Sequence, residues 1–129
     1  DRKIDGHDIT ALIYGDTKAA SPYESFFYYR QDQLQAVRSG PWKLFLPIDP
    51  SAGHPHLSRN DPPQPLLFHL DDDIGCEHNV AEKFPEVVGR LSELADAARA
   101  DLGDKGRVGA GQRAAGKVTG EPIVQSAAP

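Results

Sequence analysis

The stretch from Pro65 to Asn79, PLLFHLDDDIGCEHN, brings together the residue types of this 129-residue chain that most often perform chemistry. An apolar run leads into Asp71–Asp73, and carboxylates at the end of a strand can ligate a hard cation. Cys76, the only cysteine, follows shortly and is a candidate nucleophile for a histidine-assisted reaction. Aspartate and glycine also favour turns in which the carboxylate accepts backbone amides. The local pattern therefore leaves a metal site, a nucleophile and an acidic turn open.

Two more histidines, His54 and His56, enclose a proline in the long segment between residues 48 and 65, which holds five prolines. Zinc normally takes three or four protein ligands, and the local spacing specifies no third one, so we predict no metal site in this segment. Loops carried by a rigid sheet often hold recognition residues. A substrate-facing role for either histidine and a solvent-exposed structural loop both stay open.

The composition of the chain limits its partners. It carries 14 Lys and Arg residues against 19 Asp and Glu residues, a formal net charge of −5. Binding of phosphate backbones needs a basic face, so this acidic balance argues against nucleic acid as a partner. One cysteine excludes an internal disulfide. No apolar run approaches the roughly 18 residues of a membrane-spanning helix, so we expect no membrane partner. The cellular compartment is left undetermined.

Four short segments carry the aromatic and alternating patterns of strands, and tight turns separate the first three. The predicted turns are Gln31-Asp32 and Ser39-Gly40-Pro41. The predicted strands are ESFFYYR (24–30), QLQAVRSG (33–40), WKLFLP (42–47) and LLFHL (66–70). The short connections among the first three predict an antiparallel meander, which the fourth extends.

The strongest helical pattern runs from Pro85 to Leu102, with proline suited to the first position and Gly103 suited to the stop. One apolar stripe follows helical spacing: Phe84, Val87, Val88, Leu91, Leu94, Ala95, Ala98 and Leu102. We therefore predict an α+β fold, a small four-stranded antiparallel sheet packed by one long C-terminal helix. Residues 103–129, which are rich in Gly and Ala, are predicted to form a flexible tail.

Three blocks of the chain, in this order, resemble the C-terminal region of type I sulfatases of the arylsulfatase kind. LQAVRSGPWKLFLP is similar to the family pattern A-V-R-x-G-x-W-K-L. PLLFHLDDDIGCEHNVA is similar to L-Y-x-L-x-x-D-P-x-E-x-x-N-L-A, with Ile74 in place of the usual proline and Cys76 where an acidic residue is common. PEVVGRL is similar to P-E-x-x-x-x-L. The opening DRKIDGHDITALIYG resembles the link that leaves the catalytic domain in this family.

The resemblance implies a chemistry whose central groups lie outside this chain. In the family, a formylglycine made from the cysteine of C-x-P-x-R or C-x-A-x-R acts beside calcium to hydrolyse sulfate esters. Cys76 is followed by Glu-His-Asn-Val and so is not the converted residue. We therefore assign no catalytic residue and no metal ligand to this chain. Calcium and formylglycine are expected in a catalytic domain that is missing here.

The resemblance also implies a division of the chain. Residues 1–22 are expected to be the link from the missing catalytic domain. Residues 23–102 are expected to form the subdomain that packs on that domain and helps to wall the substrate cleft. The expected partners are the catalytic domain and, in the intact enzyme, a sulfate-ester substrate approached by His54 or His56. This chain alone is predicted to be inactive, and to self-associate because residues 1–22 lack their packing partner.

Two rival hypotheses remain. The first is a non-enzymatic binding module that uses an aromatic sheet face formed by Phe26, Phe27, Tyr28, Tyr29 and Trp42. The alternative role for those aromatics is a core beneath the long helix, which we favour. The second is an unrelated small hydrolase that uses Cys76 and a histidine, and a silent Cys76→Ser change would remove it.

Overall fold

A computed structural model describes residues 6–49, 53–112 and 120. Within these residues the main sheet has four antiparallel strands in the order β1-β2-β3-β4, as predicted. Two helices and a two-stranded hairpin complete the described elements. In chain order they are α1 Thr10–Ile13, β1 Phe26–Arg30, β2 Gln33–Ser39, β3 Trp42–Phe45, β4 Leu66–His69, α2 Pro85–Leu102, β5 Gly103–Asp104 and β6 Arg107–Val108.

Tight turns set the register of the first three strands. Arg30 pairs with Gln33 across the first turn, where Gln31 has a φ of 57°. Ser39 pairs with Trp42 across the second turn, where Gly40 has a φ of 56° that glycine adopts without strain. Both predicted turns are therefore confirmed.

A bulge in β2 changes which residues face the helix. Tyr28 pairs with Ala36 and Tyr29 pairs with Leu34, so Gln35 is the extra residue in β2. A regular strand alternates its faces, and the extra residue shifts that alternation by one. Leu34 and Val37 consequently belong to the same core, whereas Ala36 belongs to the core on the other face.

Helix α2 covers the first face of the sheet. Its buried side chains are Leu91, Ala95 and Ala98, and they pack with residues of β2, β3 and β4. Arg90 also donates a 3.0 Å hydrogen bond from Nη1 to Ser39 Oγ at the end of β2. The predicted helix and its apolar stripe are confirmed, although Leu102 at the end of the stripe is 44% exposed.

The segment that follows β3 covers part of the second face. A separate core there contains Ala36, Phe45, Leu66, Phe68, Leu70 and Cys76, with Leu57 packed against it. Arg30 anchors this segment from the end of β1 through a 3.0 Å hydrogen bond from Nη1 to the Gly53 carbonyl. The described part of the long loop therefore packs against the second face of the sheet.

A short hairpin of β5 and β6 begins where the flexible tail was predicted to begin. Gly103, with a φ of 93°, turns the chain out of α2 and pairs with Val108. Tyr29 donates a 2.9 Å hydrogen bond from its hydroxyl to the Gly103 carbonyl, which fixes the hairpin to β1. Hydrogen bonds to the sheet therefore hold the first residues of the predicted tail, and the flexibility of that tail stays a prediction. Residues 113–119 and 121–129 of the predicted tail lie outside the described residues.

The N-terminal segment forms one short helix, the four-residue α1. Helix α1 has no buried residue; Ile13 at its end is 71% exposed, and Tyr14 directly after it is 84% exposed. Residues 1–5 of the predicted link lie outside the described part of the chain. No helix in that described part is long and apolar enough to cross a membrane.

Candidate functional site

The three aspartates of the opening motif form a turn at the end of β4. Asp73 accepts the backbone amides of Glu77 on Oδ1 at 3.0 Å and of His78 on Oδ2 at 2.8 Å. These two hydrogen bonds, the one from Glu77 first, hold the pKa of Asp73 below its ordinary value. The Asp73 carboxylate is thus used in folding the turn, which favours the acidic turn over a metal site.

The neighbouring Asp72 lies against an aromatic cleft. Its Oδ2 is 2.6 Å from Nδ1 of His69, and the His69 ring lies edge-on to Trp42 with ring centroids 4.6 Å apart. Phe84 closes the other side of Trp42 at 5.0 Å. The cleft has a volume of about 410 Å³ and also contacts His78. It contains two imidazoles and the aromatic rings of Trp42 and Phe84, a combination that no local sequence pattern indicates.

The described residues do not fit the calcium site or the nucleophile of the implied chemistry. Calcium takes six to eight oxygen ligands. No group of three or more His, Cys, Asp or Glu side chains in residues 6–49, 53–112 and 120 is placed to hold a metal ion. Cys76 is a free thiol, 9% exposed, and belongs to the second-face core. No reaction step is assigned to either group in this chain.

The imidazole of His54 organises the loop on the second face. It is 9% exposed, and its Nδ1 accepts the backbone amides of His56 and Leu57, each at 3.1 Å. An Nδ1 that accepts two hydrogen bonds carries no proton, so the ring proton lies on Nε2. Nε2 is buried and has no hydrogen-bond partner among the described residues. Burial, and then the charge of His56, lower the pKa of His54.

His56 is exposed and lies over the aromatic side chains of the second face. Its ring is edge-on to Phe45 with centroids 4.7 Å apart and is tilted against Phe68 at 5.1 Å. Partial burial and then the nearby Lys43 ammonium lower its pKa, against a smaller opposing effect of Asp73. The imidazole is therefore held neutral over a wider pH range than a free histidine, with its edge open to solvent.

His56 shares a groove with the end of the opening motif. The groove has a volume of about 440 Å³ and is lined by residues of the loop, β4 and the turn, namely His56, Leu66, Phe68, Gly75, Cys76, Glu77 and Asn79. Asn79 contributes a fixed amide, because its Oδ1 accepts the backbone amides of Leu67 at 2.9 Å and Ala81 at 3.0 Å. The loop that carries His56 and the end of the opening motif, which are far apart in the sequence, therefore meet here, because Leu57 packs against the second-face core.

The aromatic residues of the rival hypothesis do not share one surface. Phe27, Tyr29 and Trp42 pack against the core beneath α2. Phe26 and Tyr28 point to the other face and are 50% and 41% exposed. Strand alternation thus divides the predicted aromatic face between core and surface.

The fold and the site together define an α+β subdomain in which an exposed histidine, His56, lies on a loop that packs against the sheet. The family model described as the C-terminal region of aryl-sulfatase matches residues 21–126. The chain therefore belongs to the family of aryl-sulfatase C-terminal regions.

Two relatives agree with this assignment. Steryl-sulfatase of Mus musculus is 35% identical over 118 residues, and the match covers 75% of this chain and 18% of that protein. A solved chain from work on the metabolism of multiple glycosaminoglycans by Bacteroides thetaiotaomicron is 26% identical, with a TM-score of 0.56. That match covers 74% of this chain and 20% of the solved one. The chain thus spans about a fifth of the length of these relatives.

Proposed function

We propose that this chain is the C-terminal subdomain of a sulfatase, that it packs on the catalytic domain, and that it helps to wall the substrate cleft. The observation that supports this most directly is the N-terminal segment. Helix α1 buries none of its residues, while Ile13 and Tyr14 expose most of their surface. These residues precede the matched region 21–126. Apolar side chains at this junction are stabilised once another protein surface covers them.

Hydrolysis itself is assigned to the catalytic domain. Formylglycine and calcium would supply the nucleophile and the electrostatic stabilisation there. Cys76 lacks the sequence context for conversion to formylglycine, and its thiol lies in the second-face core. The substrate class, a sulfate ester, follows from the family alone.

His56 is the residue that we assign to the wall of the cleft. Its ring is fixed by Phe45 and Phe68, so little side-chain entropy is lost when a ligand binds. A neutral imidazole donates or accepts a hydrogen bond at its exposed edge. His54 serves His56 indirectly, because its Nδ1 holds the loop backbone at His56 and Leu57.

The DNA immediately upstream of this sequence tests the proposal. The expected result is a continuous reading frame that encodes C-x-P-x-R or C-x-A-x-R. The purified 129-residue chain is expected to release no 4-nitrophenol from 4-nitrophenyl sulfate. A frame without either motif, or hydrolysis by the chain alone, would contradict the proposal.

The role of His56 is tested in the intact enzyme, in which this chain is continuous with the catalytic domain. His56→Ala is expected to raise KM for a sulfate ester with little change in kcat, since the residue contacts substrate and not the reacting atoms. His78→Ala is the matched control and is expected to leave KM unchanged, because the His78 side chain is 80% exposed and does not line the groove that contains His56. Equal KM values for the parent enzyme and His56→Ala would remove His56 from the wall of the cleft.

A further inference from the structure

Two cations lie directly opposite each other on the second face of the sheet. Arg38 of β2 is in register with Lys43 of β3. Both point away from α2, because Ala36 and Phe45, two residues along the same strands, lie in the second-face core. Like charges on directly opposed residues destabilise a strand pair. The Arg38–Lys43 pairing therefore lowers the stability of the β2–β3 strand pair.

Nothing in the described part of the chain neutralises these cations. Neither Arg38 nor Lys43 forms an ion pair with a carboxylate of the described residues. Arg38 Nε donates to the Gly40 carbonyl at 3.2 Å. Lys43 Nζ lies 4.8 Å from the ring centroid of Tyr28 and 4.7 Å from that of Phe45. The rings position the ammonium and leave its charge in place. A positive patch thus stands out on a chain of net charge −5.

Exposed aromatic rings flank the two cations. Phe26 is in register with Arg38, and Tyr28 lies two residues along the same strand. They are 50% and 41% exposed, since the loop that carries His54 and His56 covers Phe45 and Phe68 on the other half of the sheet. Arginine beside exposed aromatic side chains is the composition of the centre of a protein interface.

We propose that the cationic face, defined as Phe26, Tyr28, Arg38 and Lys43, docks on a carboxylate-bearing surface of the sulfatase catalytic domain. This inference rests on the proposed function. The described acidic side chains leave both cations unpaired, so the partner supplies the complementary charge.

The path of the N-terminal segment favours the same occupant. The Tyr23 ring lies 5.5 Å from the Phe26 ring and 4.9 Å from the His7 ring. The segment that precedes the matched region 21–126 therefore reaches the sheet at the edge of the cationic face. Under the proposed function the catalytic domain joins the chain through this segment, whose Tyr23 ring contacts Phe26 of the cationic face.

The test uses the 129-residue chain and, as a separate polypeptide, the catalytic region encoded upstream. Isothermal titration calorimetry measures their Kd at low and at physiological salt. Arg38→Gln/Lys43→Gln is expected to raise Kd by about tenfold or more and to weaken its salt dependence. Arg59→Gln/Lys83→Gln removes the same charge from exposed positions elsewhere and is expected to leave Kd unchanged.

Folding is checked separately from docking. Removing a repelling pair is expected to leave the midpoint of urea unfolding unchanged or raised. Arg38→Lys keeps both charges and is expected to bind within about threefold of the parent chain, which separates charge from shape. Retention of tight binding by a folded Arg38→Gln/Lys43→Gln chain at both salt concentrations overturns the docking surface and leaves the proposed function standing.

Three other outcomes also overturn the proposal. The parent chain failing to bind the catalytic polypeptide contradicts the proposed function together with this surface. Self-association of the 129-residue chain that the double variant abolishes assigns the face to a second copy. Binding of dextran sulfate that the double variant loses, with domain association unchanged, assigns it to a sulfated ligand.

Discussion

The backbone amide of Leu34 donates a 3.0 Å hydrogen bond to Asp104 Oδ1, a residue 70 positions away. The other oxygen of this carboxylate, Oδ2, accepts a 2.7 Å hydrogen bond from Arg99 Nε. One side chain therefore joins the start of β2, the last turn of α2 and the hairpin. The sheet, and through it the face that carries the candidate site, is tied to the C-terminal hairpin at this point.

Asp104→Ala is expected to lower the free energy of unfolding by about 2–3 kcal/mol, because charge-assisted hydrogen bonds and the buried amide of Leu34 lose their acceptor. Urea denaturation followed by circular dichroism measures the change. Asp96→Ala is the matched control, since Asp96 is also 2.9 Å from Arg99 but its side chain is 74% exposed. Its expected effect is below about 0.5 kcal/mol. Equal effects of the two variants would show that the hairpin junction is not stabilising.

Acid is expected to weaken the same junction. Burial acts to raise the pKa of Asp104, but hydrogen bonds from Arg99, Lys105 and Leu34 outweigh it and hold this pKa below its ordinary value. The unfolded chain therefore binds the proton more readily. The stabilisation is fully present above the ordinary carboxyl pKa and is lost as pH falls through the folded value. Unfolding midpoints between pH 6 and pH 2 should fall less steeply in Asp104→Ala than in the parent chain.

Leu91→Ala is expected to lower the free energy of unfolding by about 2–5 kcal/mol, because Leu91 is 0% exposed and its removal leaves a cavity between α2 and the sheet. Leu102→Ala on the same helix is the control, with an expected loss below about 1 kcal/mol since Leu102 is 44% exposed. Both losses are measured from the midpoints of urea unfolding, with the m value, the dependence of the free energy of unfolding on urea concentration, unchanged. A similar loss for the two variants would contradict the packing of α2 through Leu91.

His54 is expected to make the second-face loop sensitive to mild acid. Its folded pKa is lowered, so the unfolded chain binds the proton more readily. Stability is greatest above the ordinary histidine pKa of about 6.5 and falls as pH drops through the folded value. Protonation at Nδ1 also removes the acceptor of the His56 and Leu57 amides. The protection factor of those amides, which is the intrinsic exchange rate divided by the observed rate at the same pH, should fall between pH 7 and pH 5.

Two substitutions check the origin of this effect. His54→Gln should remove most of the pH dependence of protection at Leu57. His7→Gln, at an exposed histidine outside the loop, should leave it intact. Unchanged pH dependence in His54→Gln would assign the effect to His56, whose pKa is lowered by burial and by Lys43.

The Cys76 thiol is expected to react slowly in the folded chain. It is 9% exposed in the second-face core, and a covered thiol is reached only through local opening. Labelling by a disulfide reagent should be at least about tenfold slower in buffer than in denaturing urea, after correction for the solvent effect on a model thiol. Equal rates would show that the second-face core is open around Cys76.

The regular elements could be predicted well because each rests on a local signal. Pro85 at the start of α2 and Gly103 at its end bound an 18-residue helix whose apolar stripe has helical spacing. The turns at Gln31 and Gly40 fixed the strand pairing in the same way. The acidic turn is also predictable as one alternative, since aspartate side chains accept nearby amides in their own segment.

The candidate site was less accessible to sequence reasoning. His54 and His56 are only two residues apart in the sequence, but the His54 imidazole is buried and holds the loop while the His56 imidazole is exposed. The bulge at Gln35 has no local signature, and it determines which β2 residues face α2. A Pro-rich loop next to a strand with apolar residues on both faces is the one signal that could have indicated a covered second face.

The sequence by itself determined the type of the main elements, the bounds of α2, the antiparallel meander and the family, because periodicity, turn residues and ordered motifs are properties of short segments. The tertiary structure decided which side chains from distant segments lie next to each other. It placed Arg38 against Lys43, His56 beside the end of the opening motif, and Asp104 under Leu34. These relationships depend on strand register and on contacts between distant segments, which burial of the two cores selects and which no local pattern encodes.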